Sequence, residues 1–158
     1  MNALAPLVRE DEIVLDAEAA NREELFALAS RLLAAHHGLS PESIRSALEA
    51  REALGSTAMG HGIAIPHARM PQLSEPALAY IRLRTPIEFG AHDRKPVSQF
   101  LVLLVPSEAN EKHLKLMAAA AGALSDKLVR NQLRTCGGCG EAKDALSQWA
   151  AEAAQGPG

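Results

Sequence analysis

Residues 51–69 read REALGSTAMGHGIAIPHAR: a charged helical end, then three glycines within eight positions, then the short apolar run Ile63 to Ile65 closed by Pro66 and His67. Glycine at that density predicts a backbone that turns tightly or lets another group approach closely. The run Ile63–Ile65 predicts a short buried strand. Its end is fixed by Pro66, so that His67 stands beyond a strand, where ligand sites of α/β sheets gather.

Upstream, Asn21 with Glu24 three residues later is a capping-box-like start for a helix to about Ala35, with Leu25, Leu28, Ala29 and Leu32 on one face. Ser40–Pro41 starts a second helix, because the hydroxyl accepts an orphan amide and proline needs no donor there. That helix is expected to end near Ala53, with Gly55 stopping it in the left-handed conformation. A short apolar run, Glu12 to Leu15, precedes both.

Downstream, Ala77–Leu83 and the unbroken apolar run Phe100–Val105 read as strands inside a sheet, the second buried on both faces. Helices follow over Asn110–Leu124, Lys127–Arg134 behind the cap Ser125–Asp126, and Glu141–Ala153, with a frayed tail over Gln155–Gly158. Interleaved strands and helices predict a single α/β domain: a mixed sheet of about five strands sandwiched by helices.

The whole-chain properties narrow the function. The 158 residues suit one core, and 47% hydrophobic with only 3% aromatic content implies a core of Leu, Ile, Val and Ala. No apolar run approaches a membrane span and the start lacks the pattern of a signal peptide, so a cytoplasmic location and no membrane insertion are expected. A net charge of −3, with the basic residues scattered, argues against nucleic acid as a partner. The lone CxxC of Cys136 and Cys139 lacks the second ligand pair of a zinc site and follows a helix rather than a strand. Two reduced thiols in a glycine-rich turn are the plain reading.

Of six histidines, His36 and His37 end the first helix, where they suit its dipole, and His92 lies in a polar turn. His61, between Gly60 and Gly62, adjoins the glycine-rich segment. His67 alone, as a histidine after a strand, is a weak sign of chemistry.

The string GSTAMGHGIAIPHAR resembles the active-site segment of the mannitol/fructose-type IIA domains of the bacterial phosphotransferase system, above all the nitrogen-regulatory IIA proteins. The resemblance continues in FLVLLVPSEANEKHLKLMA and, more loosely, over nearly the whole chain. It implies that His67 is the phosphorylated residue, that Arg51, sixteen residues ahead of it, is the site arginine, and that His113 is the second active-site histidine. The implied function is phosphocarrier, with a histidine phosphocarrier protein as donor and regulatory target proteins as further partners. Neither cofactor nor metal is required by such chemistry.

That assignment is chemically coherent. A neutral imidazole at His67 attacks, a guanidinium at Arg51 neutralises the incoming group, and His113 donates to a phosphoryl oxygen. Ser56 and Thr57, with the amides around Gly60 and Gly62, are candidate lesser donors. Met59, Ile65 and Met70 are candidates for an apolar docking face, although each also reads as core. The absence of a fused membrane unit favours the regulatory branch over a fructose or mannitol sugar branch. Two further readings stay open: zinc held by His61, His67 and His113, which only histidine number supports, and an interaction module with inert histidines.

Overall fold

A computed structural model describes residues 2–106 and 110–150. Its elements run, after a 3-10 turn at Glu10–Glu12, as β1 (Ile13–Ala17), α1 (Arg22–His37), α2 (Pro41–Ala53), β2 (Ala58–Gly60), β3 (Ile63–Ala64), β4 (His67–Arg69), β5 (Ala77–Ile87), β6 (Val97–Val105), α3 (Glu111–Ser125), α4 (Lys127–Thr135) and α5 (Cys139–Gln148).

The strands form one mixed sheet in the order β1-β5-β6-β3-β2, with β4 also paired to β6. β5 and β6 are antiparallel and central, whereas β1 runs parallel to β5, and β3 and β4 run parallel to β6. β3 meets Gln99 and Phe100, and β4 meets Leu103 to Val105. The two are therefore successive halves of one strand, interrupted at Ile65–Pro66, where the missing proline N–H breaks the ladder while the Pro66 carbonyl still accepts from Leu103.

Alternation sorts the core into two layers. Ala77, Ala79, Ile81, Phe100, Val102 and Leu104 pack with Leu25, Phe26, Leu33, Ile44 and Leu48 of α1 and α2. Leu78, Tyr80, Leu101 and Leu103 pack on the opposite face with Leu116, Ala120, Val129, Leu133 and Leu146 of α3 to α5. With helices on both sides, every residue from Phe100 to Leu104 is buried, which is why that run is apolar without alternation.

The helix starts are local chemistry. The side chains of Asn21, Ser40, Asn110 and Asp126 accept backbone N–H groups of Glu24, Ser43, His113 and Leu128.

The mixed sheet sandwiched by helices is as expected, and it reaches six strands because the glycine-rich segment folds into β2, β3 and β4. Three expectations are corrected. α2 ends on Leu54 in right-handed geometry, while Gly55 is nearly extended at φ 158°, so no left-handed glycine stops it. His36 and His37 do more than face a dipole: His37 Nε2 lies 2.8 Å from the buried carboxylate of Glu12, and His36 lies 3.7 Å from Asp11. α5 begins at Cys139, two residues before the expected start. The expected continuation to Ala153 and the tail 155–158 lie outside the described residues.

Candidate functional site

The break in the edge strand and the start of α3 bring the decisive side chains together. A cleft of about 610 Å³ lies where β4, α2 and α3 meet. Arg51 and Leu54 line it from the end of α2, His67 and Arg69 from β4, Val105 from the end of β6, and His113 and Leu114 from the first turn of α3. A slightly larger groove of about 670 Å³ lies along α4 and α5, but none of the histidines lines it.

His67 is half-buried, and its Nδ1 lies 2.9 Å from the carbonyl oxygen of Ile65. A carbonyl can only accept, so in the neutral ring Nδ1 carries the proton and Nε2 keeps the lone pair. The local backbone thereby selects Nε2 as the nucleophilic nitrogen. Pro66 stiffens the two-residue link that holds this contact.

Arg51 is anchored by one prong, Nη1 donating to the Gly55 carbonyl at 2.9 Å. His113 is buried, with its backbone N–H held by Asn110 Oδ1 at 3.0 Å, so it sits within the positive end of the fifteen-residue α3. No Asp or Glu occurs among the described residues that line the cleft. In a chain of net charge −3, this recess carries two arginines, two histidines and a helix N-terminus, the composition of an anion site.

Arg51, His67 and His113 thus converge, whereas the other expected site residues lie elsewhere. Thr57 is buried, and its N–H and hydroxyl both donate to the Glu52 carboxylate at 2.7 Å. Ser56 Oγ donates to the Phe89 carbonyl at 3.0 Å and accepts the N–H of Ala58. Gly60, His61 and Gly62 form the β2–β3 turn with φ of 85°, 58° and 77°. The His61 amide donates to Asp93, not toward the cleft. That turn meets the start of β6 near Ser98 and Gln99, four pairings from the one His67 makes with Leu103, or about 13 Å along the strand. Asp93 is held below the usual carboxyl range chiefly by the Lys95 backbone N–H, with that of His61 adding to it.

Ile65 and Met70 are core, and Met59 is half-buried, so these three are not the exposed apolar rim. Leu54 and Leu114 are, at 85% and 67% exposure on either side of the cleft. Arg69 also went unread in the sequence. The signal was available, because a residue two after His67 in a strand shares its face.

Among the described residues no three His, Cys, Asp or Glu side chains converge to hold a metal, so the zinc reading of His61, His67 and His113 has no geometry behind it. The thiols of Cys136 and Cys139 are free and meet the carbonyls of Leu133 and Ile13. Among the described residues no helix is long and apolar enough to cross a membrane.

Comparison with known proteins places this architecture. Residues 6–149 match the family described as "Phosphoenolpyruvate-dependent sugar phosphotransferase system, EIIA 2". The chain belongs to that family. Among relatives, this EIIA 2 chain is 45% identical over 94 residues to a nitrogen regulatory protein of Pseudomonas aeruginosa, covering 60% of this chain and 61% of that one. It is 36% identical over 115 residues to the nitrogen regulatory protein of Klebsiella oxytoca, covering 72% and 71%. The crystal structure of nitrogen regulatory protein IIA-Ntr from Neisseria meningitidis superposes with a TM-score of 0.86 at 38% identity, over 90% of this chain and 98% of that one. Escherichia coli mannitol IIA shares the fold, with a TM-score of 0.73 at 22% identity over 87% and 97%. The EIIA 2 fold here is thus the one found in nitrogen-regulatory relatives.

Proposed function

We propose that this chain accepts a phosphoryl group on Nε2 of His67 from a histidine phosphocarrier protein and acts in the nitrogen-regulatory branch of the phosphotransferase system. The observation that carries the reading is the cleft: Arg51, His67 and His113 meet in a recess whose described lining has no carboxylate, and the Ile65 carbonyl holds His67 in the tautomer that attacks through Nε2.

The step is in-line. As the donor's N–P bond breaks and its imidazole keeps that electron pair, the lone pair of Nε2 forms the new N–P bond. The guanidinium of Arg51 faces the charge on the equatorial oxygens, aided by the N-terminal dipole of α3, and His113 donates a hydrogen bond to one of them. The Ile65 carbonyl then stabilises the developing positive charge on the ring through Nδ1–H. Leu54 and Leu114 supply an apolar rim that excludes water when the donor docks. Ser56, Thr57, Gly60 and Gly62 take no part in this scheme, because their polar groups face other partners. The nitrogen-regulatory proteins among its relatives support the regulatory branch, with target proteins that distinguish the charged and uncharged forms.

Incubation with labelled phosphoenolpyruvate, the general first enzyme of the system and a histidine phosphocarrier protein tests the assignment. One acid-labile phosphate per chain, lost in His67→Ala, is expected. A label that persists on another residue of that variant overturns it.

A further inference from the structure

We infer that Arg69 is a second guanidinium, beside Arg51, that binds the phosphoryl group carried by His67; the inference rests on the His67 reading above.

Placement comes first. In β4, Ala68 turns into the core with Ala64 and Met70, so His67 and Arg69 stand together on the other side of the strand, and both line the cleft. Cα atoms two apart in a strand are separated by about 6.6 Å, within the reach of an arginine side chain. The contact of Nδ1 with the Ile65 carbonyl leaves Nε2, the other ring nitrogen, clear of that bond.

Availability comes second. Arg69 is exposed, and no hydrogen bond or ion pair engages its guanidinium among the described residues. Elsewhere the fold puts buried arginine to structural use: Arg82 donates to the carbonyls of Leu133 and Cys136 and to Asp16.

Charge comes third. A bound phosphoryl group brings about −1.5 to −2. Arg51 supplies one positive charge, the end of α3 about +0.5, and the ring of His67 becomes positive as it is phosphorylated, so a second guanidinium adds donors placed against the phosphoryl oxygens rather than filling a charge deficit. Two planar forks also match three equatorial oxygens better than one, since each fork presents paired donors. Arg69 therefore shifts the exchange equilibrium toward the charged form of this protein, and lowers the second ionisation of the phosphoryl group by favouring its dianion.

The test uses the full chain as wild type, Arg69→Gln and Arg69→Lys, charged either from a phosphorylated histidine phosphocarrier protein or chemically with phosphoramidate. In Arg69→Gln the equilibrium constant for exchange with the phosphocarrier is expected to move about tenfold toward the donor, the size of one charge-assisted hydrogen bond. The phosphorus NMR titration of the group on His67 should move to higher pH. Arg69→Lys should recover most of both effects, because it keeps the charge and loses only the fork. An Arg69→Gln protein charged on His67 with wild-type equilibrium constant and titration overturns the inference. So does one in which only the rate from the protein donor falls, since Arg69 would then be a docking contact. Wild-type protein that takes no label on His67 from either donor overturns the reading on which the inference rests.

Discussion

Thr57→Val separates a structural from a catalytic use of the glycine-rich segment. The Thr57 hydroxyl donates at 2.7 Å to a carboxylate oxygen of Glu52, which is only 5% exposed, while the Thr57 amide holds the other oxygen. Valine keeps the side-chain shape and removes only the donor, leaving one oxygen of a buried carboxylate without a hydrogen bond. Losing a hydrogen bond to a charged group costs about 1.5–3 kcal/mol, and burying a methyl in place of the hydroxyl offsets less than about 1 kcal/mol. A net loss of about 2 kcal/mol lowers the Tm of a protein this size by about 4–8 °C. Differential scanning calorimetry reads that shift. Parallel labelling at 20 °C should give a transfer rate within about twofold of wild type, since Thr57 does not line the cleft and removes no transition-state donor. An unchanged Tm with strongly slowed labelling would refute the reasoning and return Thr57 to the phosphoryl site.

Other perturbations test other parts of the molecule. Gly122→Ala on α3 puts a Cβ against Trp149 Cη2, closer than two carbon atoms can approach. The overpacking, about 1–3 kcal/mol, exceeds the roughly 1 kcal/mol gain in helix propensity, so a lower Tm and a red-shifted emission of the single tryptophan are expected; unshifted emission would contradict this. Because the pKa of Asp93 is depressed by backbone N–H donors, its support of the β2–β3 turn is present above the ordinary value of 3.8 and is lost only as pH falls through the lower folded value. The His61 amide signal should therefore titrate with a midpoint below 3.8, and a midpoint above it would count against the contact. Leu54→Ser or Leu114→Ser, which removes apolar surface without adding charge, should slow transfer from the protein donor roughly fivefold or more while leaving phosphoramidate labelling unchanged, and equal slowing from both donors would exclude a docking role. Burial raises the thiol of Cys136, so iodoacetamide near neutral pH should modify Cys139 first; the reverse order, read by peptide mass, would refute that.

The parts of the fold that rest on local chemistry were legible. Asn21 and Ser40 announce α1 and α2 because a cap needs only a side-chain oxygen next to an orphan amide. The segments Ala77–Ile81 of β5 and Phe100–Val105 of β6 announce themselves because strand segments covered on both faces must be apolar. The division of residues 58–69 into three strands was not legible, because segments of two or three residues carry no period and the turn between β2 and β3 places the non-glycine His61 at φ 58°. Within the site, the pairing of Arg51 with His67 came from resemblance, since nothing in a spacing of sixteen shows that the end of α2 returns to β4. Gly60 and Gly62 were assigned to the site from glycine density alone. Density does not say where a turn points, and this one points at Asp93.

The placement of β4 has a consequence for solubility. Among the described residues it pairs only with β6, so its outer side offers backbone groups that another chain could extend. Few such groups are exposed to that hazard. The strand is three residues long, Pro66 and Pro71 lie on either side of it without an N–H to donate, and Arg69 places a charge at its end. A segment that, on the proposed reading, must stay open to incoming protein partners is thereby a poor template for a second copy of itself, and the same brevity that hid β4 from sequence patterning leaves little open edge for another chain to extend.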